Sequence, residues 1–359
     1  MSERRTPDVT VVTVTYNAVG LVAACLDALA AQHLDGLDME VVVVDNASTD
    51  GTADLVADQY PTVRLVRSPT NRGFAGGNNL ALDTVTSPAV ILLNNDAVPE
   101  PDFVSTLVGE LAAATGEVAA LTARVLLMDH FRVARSDDPP EMRVVGASGE
   151  YVRTADGPIT LVNSTGNQVR TDGFGVDRGW LEEAVDHQPG DEVFGFCGAA
   201  AILRTSALRD AGTFDEDFFL YYEDTDLSWR LRLAGYSIRH CPGAVVRHIH
   251  AASTGEGSAL FRFHDGRNRL LMLVKDATPG LAAGAAWRYA VTTASILVRR
   301  SQPRAHVATR FRVLASFLRL LPAMLGRRHA IGHAARTPRV DVERLLIPPP
   351  VRPSAGYRV

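Results

Sequence analysis

Six carboxylates crowd into one short stretch of this chain: Asp215, Glu216, Asp217, Glu223, Asp224 and Asp226, within FDEDFFLYYEDTDLSWRLRLAGY from Phe214 to Tyr236. Phe214, Phe218, Phe219, Leu220, Tyr221 and Tyr222 lie among them. Carboxylates beside bulky apolar groups and beside each other feel desolvation and mutual repulsion. Both effects raise the pKa toward the range in which a carboxylate can take a proton. From Thr225 the pattern is helical: Thr225 can N-cap, Asp226 suits a first turn, Leu227 and Leu231 share a face, and Gly235 can end the helix. This predicts Glu223 and Asp224 fixed just ahead of a helix N-terminus. The competing expectation is an acidic capped helix on a solvated surface, and the rest of the chain decides between the two.

The elements that must position these acids read as an alternation. Val9 to Val14 (VTVVTV) is a continuous β-branched run, the mark of a strand buried on both faces. Val19 to Ala31 reads as a helix, Glu40 to Val44 as a second buried strand, Asp54 to Tyr60 as a short helix and Val63 to Val66 as a third strand. A loop from Asn71 to Asn79 leads into a helix through Val85; Ala89 to Leu93 is a fourth strand, Asp102 to Ala114 a helix and Val118 to Leu126 a fifth strand. Such alternation predicts an α/β unit on a mostly parallel sheet, with ligands at the carboxyl ends of the strands. Polar clusters fall at those ends: Thr15-Tyr16-Asn17, Asp45-Asn46 and Asn94-Asn95-Asp96. Turn formation explains one or two such clusters and is a weaker account of three, each after a buried strand.

From Met128 to Asp191 the pattern breaks into Gly-, Asp- and Pro-rich sequence, read as an irregular, partly β insertion under or beside the site. The expected organisation is a catalytic body over 1–276 with that insertion at about 128–191, an arginine-rich helical region over 277–340 and a flexible tail over 341–359. The net charge of −5 is uneven: 277–340 holds 11 arginines and no acid, leaving the body up to Asp276 at −17. An acidic body suits a metal ion, and an arginine-rich appendage suits phosphate groups or an anionic membrane. Gly280 to Val298 nearly has bilayer length, but a central Arg288 costs about 2.5–3.5 kcal/mol on insertion, so an interfacial helix or one packed on the body is expected. The three scattered cysteines, Cys25, Cys197 and Cys241, form neither a disulfide framework nor a metal spacing and fit a reducing cytosol. MSERRTPDVT has no long apolar run before Val9, so no signal peptide is expected.

Taken together, VVTVTYNA (Val11 to Ala18), VVDNASTDGT (Val43 to Thr52), NRGFAGGNN (Asn71 to Asn79), LLNNDAVPEPDF (Leu92 to Phe103) and the acidic stretch resemble the inverting glycosyltransferases of family 2, which have the GT-A fold. The likeness is to their rhamnosyltransferase-like branch in cell-wall and surface-polysaccharide synthesis, and it covers roughly three quarters of the chain. It implies a Rossmann-like central sheet with flanking helices, a nucleotide-sugar donor (dTDP- or UDP-linked, dTDP-rhamnose favoured) and a glycan or lipid-linked acceptor at the cytoplasmic membrane face. Nucleic acid is not an expected partner, and homo-oligomerisation is left open.

The resemblance also assigns residues. Asp45 would accept the imide N–H of a uracil or thymine ring, with Thr15, Tyr16, Asn17 and Asn46 in the same wall. Arg72, Gly73, Asn78 and Asn95 complete the expected donor site: Arg72 reaches a phosphate, and the Gly73 to Gly77 stretch admits the nucleotide closely. Asn94-x-Asp96 stands where the family has its DxD motif, so Asp96 and, with one charge fewer, Asn94 would hold Mg²⁺ or Mn²⁺. His248 would complete the metal site, with His250 its substitute. The second acid of the Glu-Asp pair is the family's base, which falls on Asp224, with Glu223 its nearest competitor. Asp226 is assigned to helix-start chemistry, Trp229 to the core or a sugar face, and Arg267, Asn268 and Lys275 to acceptor phosphate or packing. The alternatives are a sugar nucleotidyltransferase, which should show a basic glycine-rich loop after the first strand, and a non-catalytic scaffold, which should have lost Asp45, Asp96 or Asp224. The chain shows neither feature.

Overall fold

The computed structural model describes residues 6–249, 258–350 and 356–357. The amino-terminal half runs β1 (Val9–Thr15), α1 (Val22–Ala30), β2 (Met39–Asp45), α2 (Thr52–Gln59), β3 (Arg64–Arg67), α3 (Gly73–Leu82), β4 (Ala89–Leu93), β5 (Ala97–Pro99), α4 (Phe103–Ala113) and β6 (Val118–Leu127). The insertion supplies short strands: β7 (His130–Val133), β8 (Arg143–Val145), β9 (Glu150–Thr154), β10 (Val162–Ser164), β11 (Asn167–Val169) and β12 (Gly175–Asp177). Then come β13 (Ala200–Arg204), α5 (Thr205–Ala211), α6 (Glu223–Leu233), β14 (Ser237–His248), α7 (Ala259–Asp276), α8 (Pro279–Arg299), α9 (Arg304–Ala334), α10 (Arg339–Glu343) and β15 (Gly356–Tyr357).

The main sheet has the order β3-β2-β1-β4-β13-β6-β14-β5, with β10 beside β6. The first four strands are parallel, as the alternation predicts. The fifth expected strand, β6, does not join β4; β13 lies between them, antiparallel to both, so the sheet is parallel-rich and mixed. Continuous β-branched runs suit β1 and β2 because each faces two cores. Val9, Val11, Val43 and Ile91 point into a core with α1 and α4, while Val12, Val42, Val44 and Leu92 point into another with α3, α5 and α6. Each fully buried valine or leucine is worth about 1.5–3 kcal/mol, so a polar residue in any of these positions would be costly.

Helix α6 is the hinge between layers. Leu227 and Leu231 share the face toward the sheet, as their spacing predicts, while Trp229 and Leu233 face a third core built with α7, α8 and α9. Every residue of α6 except Asp224 is buried. The solvated acidic helix is therefore excluded, and so is a sugar-stacking role for Trp229, which is 0% exposed and lies edge-on to Phe194 at 5.2 Å. Gly235, at φ +90°, ends α6 as expected: its N–H donates to the Arg232 carbonyl and that of Tyr236 to Leu231.

Two boundaries differ from expectation. The Asn71 to Asn79 stretch is not a loop, because α3 begins at Gly73 itself. Residues 341–350, expected to be loose, are tied down: Val342 is 1% exposed, Glu343 accepts from the Thr278 N–H at 2.5 Å and the Ile347 N–H donates to the Val169 carbonyl. Packing of Val342 and Leu346 on the third core supplies the apolar contact that holds this segment.

Candidate active site

The parallel register puts Thr15 opposite Asp45 at the carboxyl ends of β1 and β2. Asp45 is 4% exposed; Oδ2 accepts from the Ser48 N–H at 3.2 Å, and Oδ1 is buried without a hydrogen-bond partner among the described residues. A buried carboxylate oxygen without a donor costs free energy unless a ligand supplies one. Thr15 is buried beside it and receives the Asn95 amide at 3.2 Å, tying the β1 end to the β4 end. Asn17, at φ +49°, accepts from the Thr49 N–H at 2.8 Å, and Tyr16 is 47% exposed at the rim.

The next residues fall into place less as expected. Asn46 donates to Asn71 Oδ1 and the Gly73 carbonyl and accepts from the Arg72 N–H, so its amide clamps the start of α3. Arg72 pairs with Glu216 at 2.7 Å. Gly73 has φ +67°, and a Cβ there would stand 2.2 Å from the Phe219 carbonyl oxygen; at Gly77 it would stand 2.6 Å from Val14. The close approach these glycines permit is thus of protein to protein, α3 onto β1 and onto the acidic stretch. Asn78 donates one helical turn back, to Phe74. Asn79, which the sequence reading passed over, holds Phe214 through both its N–H and its carbonyl.

Beyond β4, Asp96 Oδ1 lies 3.0 Å from His248 Nε2, and the Asn94 amide lies 3.3 Å from the same nitrogen. His248 is the last residue of β14, antiparallel to β5 with His248 opposite Ala97, and that pairing brings it to Asp96. Asn163 of β10 accepts from His248 Nδ1 at 2.6 Å, which turns Nε2 toward Asp96. Nothing in the sequence marks Asn163, because the insertion has no pattern that places it against β14. Among the described residues no group of three or more His, Cys, Asp or Glu side chains converges as a metal cluster. The donor set here is one carboxylate, one imidazole and one amide, which fits a divalent ion that takes its remaining ligands from diphosphate and water. His250 lies outside the described residues.

The same edge continues to Asp224. The Asn94 N–H donates to the Ala199 carbonyl, just before β13, and the Gly198 N–H donates to Asp224 Oδ2 at 2.9 Å. Glu223 and Asp224 are the first two residues of α6 rather than its forerunners, and Tyr222, at φ +69°, is the N-cap in place of Thr225. Phe219 and Tyr221 also have positive φ, so three bulky residues just before the acids are held in a conformation that side chains disfavour. Asn268 of α7 holds that turn, donating to the Phe218, Leu220 and Tyr221 carbonyls, and Arg267 donates to Asp217 and Phe218. These two side chains bind backbone oxygens of the turn.

The six acids have separate fates. Asp215 and Asp226 pair with Lys275 at 2.7 and 2.5 Å, and Asp215 and Asp217 pair with Arg327. Burial pushes the Asp226 carboxyl up, but Lys275 and Arg230 more than offset it and hold it below its ordinary value. Asp226 is therefore half of a buried ion cluster, not only a helix-start residue. Burial first, and the Asp224 charge second, raise Glu223 well above its ordinary value, and its Oε2 has no partner among the described residues. Of the pair, Glu223 is buried and pushed toward its protonated form, and Asp224 is the one that is not buried.

A group with a raised folded-state pKa contributes stability below its unfolded value, here 4.5, and loses that contribution as pH rises toward the folded value. Glu223→Gln removes the proton that must be held. Its thermal midpoint should therefore exceed that of wild type at pH 8 and converge with it below pH about 4.5. A difference constant with pH would show that Glu223 is ionised in the folded protein.

Sheet, helices and this edge define a GT-A-type sugar-nucleotide fold. The model of "Glycosyl transferase family 2" matches residues 10–211, and that of "Glycosyl transferase family group 2" matches residues 159–269. The chain belongs to glycosyltransferase family 2. It is 28% identical over 235 residues to N-acetylglucosaminyl-diphospho-decaprenol L-rhamnosyltransferase of Mycobacterium tuberculosis, covering 62% of this chain and 70% of that one. It is 26% identical over 267 residues to the low-salt glycan biosynthesis hexosyltransferase Agl10 of Haloferax volcanii, covering 72% and 73%. Among solved structures, GalNAc-T7 with UDP, GalNAc and Mn²⁺ aligns with a TM-score of 0.54 at 11% identity, over 76% of this chain and about half (48%) of that one. TarS 1–349 of S. aureus aligns with a TM-score of 0.50 at 15% identity, over 94% and 89%.

Proposed function

We propose that this glycosyltransferase moves a sugar, with inversion, from a nucleoside-diphosphate donor to a hydroxyl of a glycan or lipid-linked acceptor at the cytoplasmic membrane face. The favoured donor is dTDP-rhamnose. The observation that carries the reading is convergence on one sheet edge: the unpartnered oxygen of Asp45, the Asp96–His248 pair and the open carboxylate of Asp224 are linked in sequence by the Thr15–Asn95, Asn94–Ala199 and Gly198–Asp224 hydrogen bonds. The relative named as an L-rhamnosyltransferase of a diphospho-decaprenol acceptor supports rhamnose as the sugar moved and a lipid-linked acceptor.

In this reading Asp45 Oδ1 accepts the pyrimidine imide N–H, and Thr15 and Asn17 line the base and ribose. Asp96, His248 and Asn94 hold Mg²⁺ or Mn²⁺, which when bound offsets the charge of the departing diphosphate. Asp224 takes the proton of the acceptor hydroxyl as that oxygen attacks the anomeric carbon from the face opposite the nucleotide. The Gly198 N–H keeps Oδ2 oriented for that transfer. Burial pushes Glu223 toward its protonated form, so it competes poorly with the more accessible Asp224 for the role of base.

The test is slow hydrolysis of dTDP-rhamnose, UDP-galactose, UDP-glucose and GDP-mannose, with Mg²⁺ or Mn²⁺ and with chelator. One donor should turn over, and chelator or Asp96→Ala should abolish it. Turnover that survives chelator overturns the metal assignment, and failure of calorimetry to detect binding of any donor overturns the transferase reading.

A further inference from the structure

The third core leaves one face of the helical region uncovered. On α8, Trp287, Val291 and Val298 are 71%, 47% and 80% exposed; on α9, Phe311, Leu318 and Leu325 are 48%, 62% and 50% exposed. The spacings of four and seven residues put each trio along one side of its helix. The opposite side of α8 packs on the body through Ala282, Ala285, Tyr289 and Thr293. These helices therefore turn bulky apolar side chains both inward and outward, whereas a surface helix of a monomeric body turns polar groups outward.

Arg299, Arg300, Arg304, Arg312 and Arg319 of these helices and their connection are exposed. The segment holds 11 arginines and no acid. Near Leu325, at the end of the α9 stripe, Arg328, His329, His333 and Arg339 line a cavity of about 490 Å³. A second copy docked face to face would press arginine against arginine. A bilayer rich in anionic headgroups meets both features, with acyl chains for the apolar stripes and phosphates for the guanidiniums.

Helix α8 has the length and composition to cross a membrane. It is held down instead: Arg288 donates to the Asp172 carbonyl of the body at 3.2 Å, and Arg310 of α9 donates to the Tyr289 carbonyl and the Thr293 hydroxyl. Crossing would break the Arg288–Asp172 contact and place Arg288 in hydrocarbon.

We propose that the exposed faces of α8 and α9 form a docking surface for an anionic lipid bilayer, with the helices lying in the interface and the body held above it. The docking does not depend on which sugar is moved, and its test needs neither donor nor acceptor.

The experiment is co-sedimentation of the full chain with phosphatidylglycerol/phosphatidylcholine vesicles against phosphatidylcholine alone, with tryptophan emission recorded in parallel. We expect at least ~10-fold stronger partitioning to the anionic vesicles, weakened by salt, since each arginine near such a surface adds about 1 kcal/mol. A blue shift should accompany binding and vanish in Trp287→Phe. Val291→Glu and Leu318→Glu, both at exposed positions, should keep the wild-type thermal midpoint and lose the binding, while Asp224→Asn binds vesicles like wild type. Equal partitioning to both vesicle types, or glutamate variants that bind like wild type, would overturn the proposal. So would a dimer in solution that Leu318→Glu dissociates, in a protein that ignores vesicles, because a second copy would then cover the face.

Discussion

Asp224→Asn is expected to lower the rate of sugar transfer about 10²–10⁴-fold, the usual contribution of a positioned general base, while donor affinity stays within a few fold. The physical basis is the sorting of the six acids. Asp215, Asp217 and Asp226 are paired with Lys275 and Arg327, Glu216 pairs with Arg72, and burial pushes the Glu223 carboxyl well above its ordinary value. Asp224 is the one residue of α6 that is not buried. Asparagine keeps the volume and can accept from the Gly198 N–H, giving up the contact that Asp224 Oδ1 makes with the Thr225 N–H at 2.6 Å, so the helix start should survive with the carboxylate gone. The measurement is kcat and KM for transfer to an acceptor, with donor Kd by calorimetry. Loss of donor binding in parallel with kcat would mean that Asp224 acts in binding instead. An unchanged kcat would remove it from the mechanism and reopen the case for Glu223, whose own Glu223→Gln variant would then have to be inactive.

The second large effect concerns stability. Lys275, the chain's single lysine, is 1% exposed and touches Asp215 and Asp226 at 2.7 and 2.5 Å. Asp276 lies in the same cluster, where burial first and Asp226 second keep it protonated well above its ordinary value. Lys275→Met would leave the Asp226 carboxylate buried with Arg230 as its remaining cation and should cost about 3–5 kcal/mol, because breaking a buried pair strands the other charge. The pH dependence should change as well. Since Asp226 has a folded-state pKa below its unfolded value of 3.8, its contribution is present above that value and disappears as pH falls through the folded one. Lys275→Met should therefore lose stability at neutral pH and show a shallower decline on acidification. Urea midpoints at pH 7 and pH 3 measure both. A midpoint at pH 7 within experimental error of wild type would show that the cluster rearranges around the loss. The double variant Lys275→Met/Asp226→Asn should recover part of the deficit, since it removes the stranded charge together with its partner.

The chain's local patterns determined a good deal. β-branched runs placed the buried strands of the parallel half, because a residue facing one of two cores must be apolar at every position. Gly235 marked the end of α6, because few residues accept a positive φ there. The order of polar clusters after the strands foretold that Thr15, Asp45 and Asn95 meet at one sheet edge, since a parallel sheet delivers its strand ends to one side. Tertiary structure decided which acid does what. Lys275 and Arg327 reach Asp215 across 60 and 112 residues, and Asn163 reaches His248 across 85. Whether a carboxylate is paired, protonated or open depends on the charges and burial around it in space, and sequence spacing carries neither. The same reason explains the glycines of α3, whose close approach to Phe219 and Val14 nothing in their spacing announces. It also explains the start of α6: Tyr222 displaced Thr225 as N-cap because Asn268, 46 positions further along the chain, holds the turn that precedes it.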